Sequence, residues 1–224
     1  LGLKPAQVRI HQVYAGGSFG RRANPRSDYV RASARILKAA RAQGVDAPIK
    51  LVWMREDDTQ AMQYRPMTVH RVHAATDAKG VLVSWDHTVV GQSFFKRSSP
   101  TAIDSSLVEG ASDGHYAIPN YRVQQQIPDD VAVPVAWLRS VGHTHSAFVV
   151  ETMMDEIATS TGQDPYAFRR ALLDNAPRPA VVLDKVVAMA GCKHPPAPAL
   201  PARAADAAWV CTNPMATMWP RWLR

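Results

Sequence analysis

Three glycines within five positions, Gly16, Gly17 and Gly20, run directly into Arg21 and Arg22. No other stretch constrains the chain as strongly. The loop Ala15-Gly16-Gly17-Ser18-Phe19-Gly20-Arg21-Arg22 follows Val8–Tyr14, whose apolar residues at 8, 10 and, less regularly, 13 read as a short strand. Glycine lets the backbone enter φ > 0 and lets another group approach where a Cβ would stand. A tight, partly exposed, cationic loop suits a phosphorylated or oxyanionic ligand held by backbone N–H groups. A plain glycine turn is the competing reading. The loop is not a P-loop, because no Gly-Lys-Ser/Thr follows, and its glycines do not fall as G-x-G-x-x-G.

Charge concentrates around this loop. The 224 residues carry a formal net charge of +7, yet residues 1–50 alone balance at +8 and the remainder at −1. A nucleic-acid face would need aromatics to stack on, and only Tyr14, Phe19 and Tyr29 lie in that segment. A small anionic ligand fits better, with a solvated basic helix as the bland alternative. No apolar run approaches the ~20 residues that span a bilayer. The start, Leu1-Gly2-Leu3-Lys4-Pro5, is neither an initiator Met nor a signal peptide and reads as a cut inside a longer protein. Cys192 and Cys211 give no disulfide framework and no metal spacing.

Beyond the loop, periodicity predicts a helix over 28–43. Ser27 is its expected N-cap, Val30, Ala34, Leu37 and Ala40 its inner stripe, and Gly44 its stop. Ile49–Met54 alternates as a strand and leads into Arg55-Glu56-Asp57-Asp58, a turn or helix start rather than a catalytic acid cluster. Thr68–Ala75 and Val81–Val90 flank Asp77-Ala78-Lys79-Gly80 and predict a hairpin with Val81, Val83 and Trp85 on one face. Residues 91–118 read as a long excursion, and Tyr121–Ile127 as a further strand. A second informative loop, Arg139-Ser140-Val141-Gly142-His143, precedes a helix over 146–161. Arginine beside serine and glycine at a helix start suits an anion. His143 and His145 lack a third ligand for a metal, and the other histidines form no recognisable set. Asp164-Pro165 opens a helix near 165–174.

Four motifs then come in the order of one family: Gly16–Arg22, Val52–Asp58, Arg139–His143 and Gly162–Pro165. The chain resembles, over about residues 1–190, the molybdenum-binding large subunit of the xanthine oxidase and aldehyde oxidase family, in its isoquinoline 1-oxidoreductase beta-subunit branch. The resemblance implies an α+β fold, a partial molybdopterin-binding domain with a predominantly antiparallel sheet and flanking helices. It implies a molybdenum-pyranopterin cofactor in its cytosine dinucleotide form, with no protein side chain on the metal. Gly16, Gly17, Ser18, Phe19, Gly20 and Arg21 would contact that cofactor from one side, and Arg139, Ser140, Val141, Gly142 and His143 from the other. The implied reaction oxidises an aldehyde or N-heteroarene with oxygen taken from water. Electrons would leave through a small 2Fe–2S partner subunit, with no nucleic acid involved.

Departures from the family pattern carry expectations of their own. Nothing matches the family's glutamate base, so no catalytic residue is assigned and the isolated chain is expected to be inactive. Ala23 stands where a purine-specific branch carries an acidic residue. After about Gly191 the composition turns Pro/Ala-rich, and the expected organisation is a domain over 1–195 followed by an out-of-frame, poorly ordered tail over 196–224. Permissible codons for Trp209–Arg224, read two bases later, spell Gly-Leu-His-Gln-Ser-Tyr-Gly-Asn-His-Val-Ala-Gln-Val-Ala-Glu, which is similar to the family's next segment.

Overall fold

The computed structural model describes residues 2–24, 26–95, 103–129 and 131–191. The tail over 196–224, both cysteines and Trp209 therefore lie outside the described residues. Two compact units emerge. One joins the described residues up to Pro66 with Ala132–Ser140, and the other joins Met67–Val131 with the described residues from Val141 on.

The first unit is built on α1 (Asp28–Ala42) and the short α2 (Arg55–Ala61). Ser27 does not cap α1. It sits at φ 46 with no side-chain hydrogen bond, and the Asp28 carboxylate takes the Tyr29 N–H at 2.9 Å instead. The expected inner stripe is only half-buried at Ala34, Leu37 and Ala40, and Val30 is exposed. Neither strand expected here forms, because Val8–Tyr14 and Ile49–Met54 run without ladder partners among the described residues. Alternation shows that a segment can present one face; a strand also needs a neighbour for its N–H and C=O groups. The β-pairing described in this unit is a parallel bridge between Tyr64 and Val135.

The second unit holds a three-stranded sheet in the order β1 (Thr68–Thr76), β2 (Leu82–Gly91), β3 (Asn120–Gln126). The β1–β2 hairpin is antiparallel and β3 runs parallel to β2. In the hairpin turn, the Asp77 side chain accepts from the Lys79 and Val81 amides, and Gly80 supplies φ +79. The expected face of Val81, Val83 and Trp85 is displaced. Thr76 pairs with Leu82 but Ala75 with Ser84, so Val83 is the extra residue of a bulge. One extra residue shifts the two-residue period, and Leu82 and Trp85 become the buried pair while Val81 is exposed.

Helices cover that buried face. α4 (His143–Ser160) begins earlier than its spacing predicts and buries Val150, Met154 and Ile157 against Leu82 and Trp85. α5 (Pro165–Ala171) starts at the expected Asp164 cap, which accepts the Ala167 N–H at 2.8 Å, and adds Phe168 and, just beyond it, Leu172. α6 (Pro177–Ala190) was absent from the sequence reading although Ala180, Leu183 and Val187 recur on one face and Gly191 closes it at φ 65. The short α3 (Ser105–Val108) lies within the long excursion, capped by Asp104.

The core of this unit contains a buried cation. Arg169 is fully buried, donates to Glu151 Oε2 at 2.8 Å and Asp155 Oδ1 at 2.6 Å, and also reaches the Glu151 carbonyl at 2.8 Å. Tyr116 donates its hydroxyl to the Glu151 carboxylate at 3.1 Å. Burial raises the Asp155 pKa and, with the Glu151 charge, the Tyr116 pKa. The Gly162–Pro165 motif also has a structural use here: Gln163 Nε2 donates to the Gly80 carbonyl at 2.8 Å and so ties the helix connection to the hairpin turn.

Candidate functional site

In the first unit, the glycine loop turns through left-handed backbone at Gly17 (φ 120), Phe19 (φ 52) and Gly20 (φ 75). The three glycines differ in what they permit. A Cβ at Gly16 would meet nothing within 4 Å, so that position faces open space. At Gly17 the neighbour would be the Phe19 ring at 3.0 Å. A Cβ at Gly20 would come within 2.5 Å of the Leu138 carbonyl carbon and 2.7 Å of its Cα. Gly20 is thus required because another stretch of backbone, the one leading into Arg139, lies against it. The Arg139 guanidinium carbon stands 5.9 Å from the centroid of the Phe19 ring, and Arg65 donates to the Arg139 carbonyl at 2.8 Å. Within the first unit, the glycine loop therefore packs against Leu138 and Arg139.

Arg21 has a different task from the one expected. Its guanidinium donates to both carboxylate oxygens of Asp28, at 3.1 and 2.9 Å, and through Nε to Asp58 at 2.8 Å, while lying 5.5 Å from the Trp53 ring centroid. The hydrogen bond to Asp28 raises the Arg21 pKa and lowers that of Asp28. Arg21 therefore pins the end of the glycine loop to α1 and α2 with its charge neutralised. This also accounts for Asp58 of the Val52–Asp58 motif; Asp57 caps α2 by accepting the Met54 N–H at 3.0 Å.

The second motif ends in strained backbone. Ser140 and Val141 have φ 67 and 43. Of the four non-glycine residues with positive φ among the described residues, three (Phe19, Ser140 and Val141) belong to these two motifs. A β-branched residue such as Val141 seldom adopts that conformation, and strain of this kind persists where surrounding structure holds it for a use. In the second unit, Gly142 packs so closely on α3 that a Cβ would approach the Ser106 carbonyl oxygen to 2.5 Å. Its N–H donates to Glu109 Oε2 at 3.3 Å, and His143 lies 3.5 Å from Glu109 and 3.7 Å from Asp113. A carboxylate of the chain itself thus already occupies part of the α4 N-terminus.

A family model described as the molybdopterin cofactor-binding domain matches residues 1–173. The chain belongs to that family. It is 30% identical over 202 residues to isoquinoline 1-oxidoreductase subunit beta of Brevundimonas diminuta, covering 87% of this chain and 25% of the relative. It is 29% identical over 184 residues to the membrane-bound aldehyde dehydrogenase [pyrroloquinoline-quinone] of Gluconacetobacter polyoxogenes, covering 77% of this chain and 23% of that protein. The aldehyde oxidoreductase molybdenum-binding subunit PaoC of Escherichia coli K12 is 26% identical over 163 residues, covering 72% of this chain and 20% of PaoC. The fold matches that of the aldehyde oxidoreductase from Desulfovibrio gigas with a TM-score of 0.56 at 20% identity, over 79% of this chain and 20% of that one. The chain spans about a quarter of the length of the curated relatives it matches.

The sequence reading missed one cluster. His70 Nδ1 lies 2.8 Å from His87 Nε2, and His70 Nε2 lies 3.0 Å from His145 Nδ1. Burial lowers the His70 pKa; burial, with the neighbouring His70 next, lowers that of His87 to about 4. No linear motif joins positions 70, 87 and 145. The available signal was the two-residue period, which places His70 on a single face of β1 with Val72.

Proposed function

We propose that this chain supplies part of the cradle for a molybdenum-pyranopterin cofactor, in its cytosine dinucleotide form, within a hydroxylase that oxidises an aldehyde or N-heteroarene. The observation that carries the reading is the Gly20–Leu138 packing, which brings the glycine loop against the Arg139 motif with left-handed backbone in both. The residues suit such a group. Gly16 leaves open the space a side chain would fill, and the left-handed turns keep backbone N–H groups from being used up in regular secondary structure. Gly16, Gly17, Ser18 and Phe19 would hold the anionic cofactor from the loop, with Arg139 and Ser140 beside them. Val141, Gly142 and His143 lie in the second unit, where Glu109 already takes the Gly142 N–H, and a cofactor role for them rests on the family resemblance alone. Arg21 acts through Asp28 and Asp58 to keep the loop in place. When bound, the cofactor supplies the two-electron redox chemistry that puts water-derived oxygen on the substrate carbon. The names of the Brevundimonas and E. coli relatives support this chemistry, and a 2Fe–2S subunit is the partner that would take the electrons.

The test is retention of the cofactor. The chain, produced in a host that makes the pyranopterin, should co-purify with molybdenum and pterin, and Gly16→Leu should lose both while keeping its circular dichroism. A chain that holds no pterin but binds duplex DNA with a log–log salt slope of several units would overturn the proposal in favour of a basic nucleic-acid module.

A further inference from the structure

The three imidazoles lie in the second unit, where the hairpin and α4 meet. His70 faces Val89 across the β1–β2 ladder and His87 faces Val72, so the two histidines are diagonal neighbours on one sheet face, within reach of aromatic side chains. His145 descends onto them from the first turn of α4. Their ring centroids are 5.1 Å (His70–His87) and 5.0 Å (His70–His145) apart. His87 is fully buried, and its Nδ1 has no hydrogen-bond partner among the described residues.

We propose that His87, His70 and His145 form a neutral, tautomer-locked chain that positions the first turn of α4, and with it Gly142 and His143. His70 and His87 are positioning residues, since they act through His145. Each imidazole-to-imidazole bond needs one N–H and one lone pair, and a neutral ring has one of each. Two settings satisfy both bonds. In one, His87 Nε2–H donates to His70 Nδ1 and His70 Nε2–H donates to His145 Nδ1. In the other, both directions reverse and His87 Nδ1 must carry a hydrogen that meets nothing. A buried N–H without a partner is the rarer and costlier orphan, so the first setting holds and all three rings carry hydrogen on Nε2. Ser146 Oγ, 3.4 Å from His145 Nδ1, and Thr68 Oγ1, 3.3 Å from His70 Nε2, flank the chain at its α4 and β1 ends.

Of the charged groups nearby, Asp86 favours the cationic form of His87, but burial and then the neighbouring His70 outweigh it. Asp86 of β2 is engaged by Arg122 of β3, with His73 of β1 nearby, and Glu109 and Asp113 face His143 rather than His145. The connection also explains why α4 begins at His143. Its first turn is anchored on one side by Gly142 N–H to Glu109 and on the other by His145 to His70.

Nitrogen-15 correlation spectra of the labelled chain at pH 7 test the proposal directly. The expected result is three neutral rings, each with its hydrogen on Nε2. A hydrogen on His87 Nδ1, or a cationic His70, overturns the assignment. Amide exchange tests the positioning: His70→Ala should speed exchange of Ser146, whose N–H bonds the Gly142 carbonyl at 3.0 Å, by at least about tenfold. His70→Gln, which keeps one donor and one acceptor, should restore part of the protection. Unchanged Ser146 exchange in a folded His70→Ala chain overturns the positioning role. If His70→Ala does not fold, the His70→Gln exchange and the parent spectra decide. The inference deepens the cofactor reading at Gly142 and His143, but a chain that holds no pterin would leave these readouts intact, so the two can fail separately.

Discussion

Gly16 and Gly20 belong to one motif but should respond very differently to the same substitution. Gly20→Ala forces an L-residue into φ 75, at a cost of about 1–2 kcal/mol. It also places a Cβ 2.5 Å from the Leu138 carbonyl carbon, 2.7 Å from its Cα and 2.8 Å from its nitrogen. Backbone cannot rotate aside as a side chain can, so overpacking adds about 1–3 kcal/mol, and the whole penalty is about 2–5 kcal/mol. Gly16→Ala meets nothing within 4 Å and lies outside the left-handed region, so its effect should stay within about 0.5 kcal/mol. Hydrogen exchange of the Ala23 amide, which donates to the Gly20 carbonyl at 3.1 Å, reads the loop directly. At 1.4 kcal/mol per factor of ten, exchange should quicken by about 30-fold or more in Gly20→Ala and by no more than about threefold in Gly16→Ala. Equal behaviour of the two variants would refute the claim that Gly20 is required by Leu138.

Three further outcomes are expected. Arg169→Met should destabilise the second unit by about 3–5 kcal/mol, read from urea unfolding followed by the buried Trp85, because Glu151 and Asp155 lose their partner; the deficit should narrow in acid as Asp155, whose pKa burial raises, protonates. Gln163→Ala should cost about 1 kcal/mol in the same assay by freeing the Gly80 carbonyl. The folded pKa of His87, about 4, lies below its ordinary 6.5, so the unfolded chain takes up the proton first. Stability should then be full above about pH 6.5 and fall by up to about 3 kcal/mol as pH drops towards 4, and His87→Leu should flatten that segment of the curve.

Much of this was legible in the sequence because it rests on local physics. The 28–42 helix, the Asp77–Gly80 turn, the Asp164-Pro165 helix start and the Val150–Ile157 face follow from period, turn chemistry and capping, which act within a few residues. The two loops proposed for the site, Gly16–Arg21 and Arg139–His143, stood out for the same reason: glycine and arginine close together restrict what the backbone can do and what it can bind.

Other features depended on partners far away in the chain. Val8–Tyr14 alternates like a strand yet has no ladder, because pairing belongs to two segments and not to one. The bulge at Val83 exchanged the buried face of β2, since a single extra residue inverts a period of two. Arg21 looked like a ligand-binding cation and became an internal tie only once Asp28 and Asp58 stood 2.9 and 2.8 Å away. Residue type alone determined that the glycine loop could be tight and cationic. Only the fold decided that Gly20 serves Leu138 while Gly16 stays open, and that three scattered histidines share two hydrogen bonds, because those facts depend on distances between residues separated by up to 118 positions of sequence.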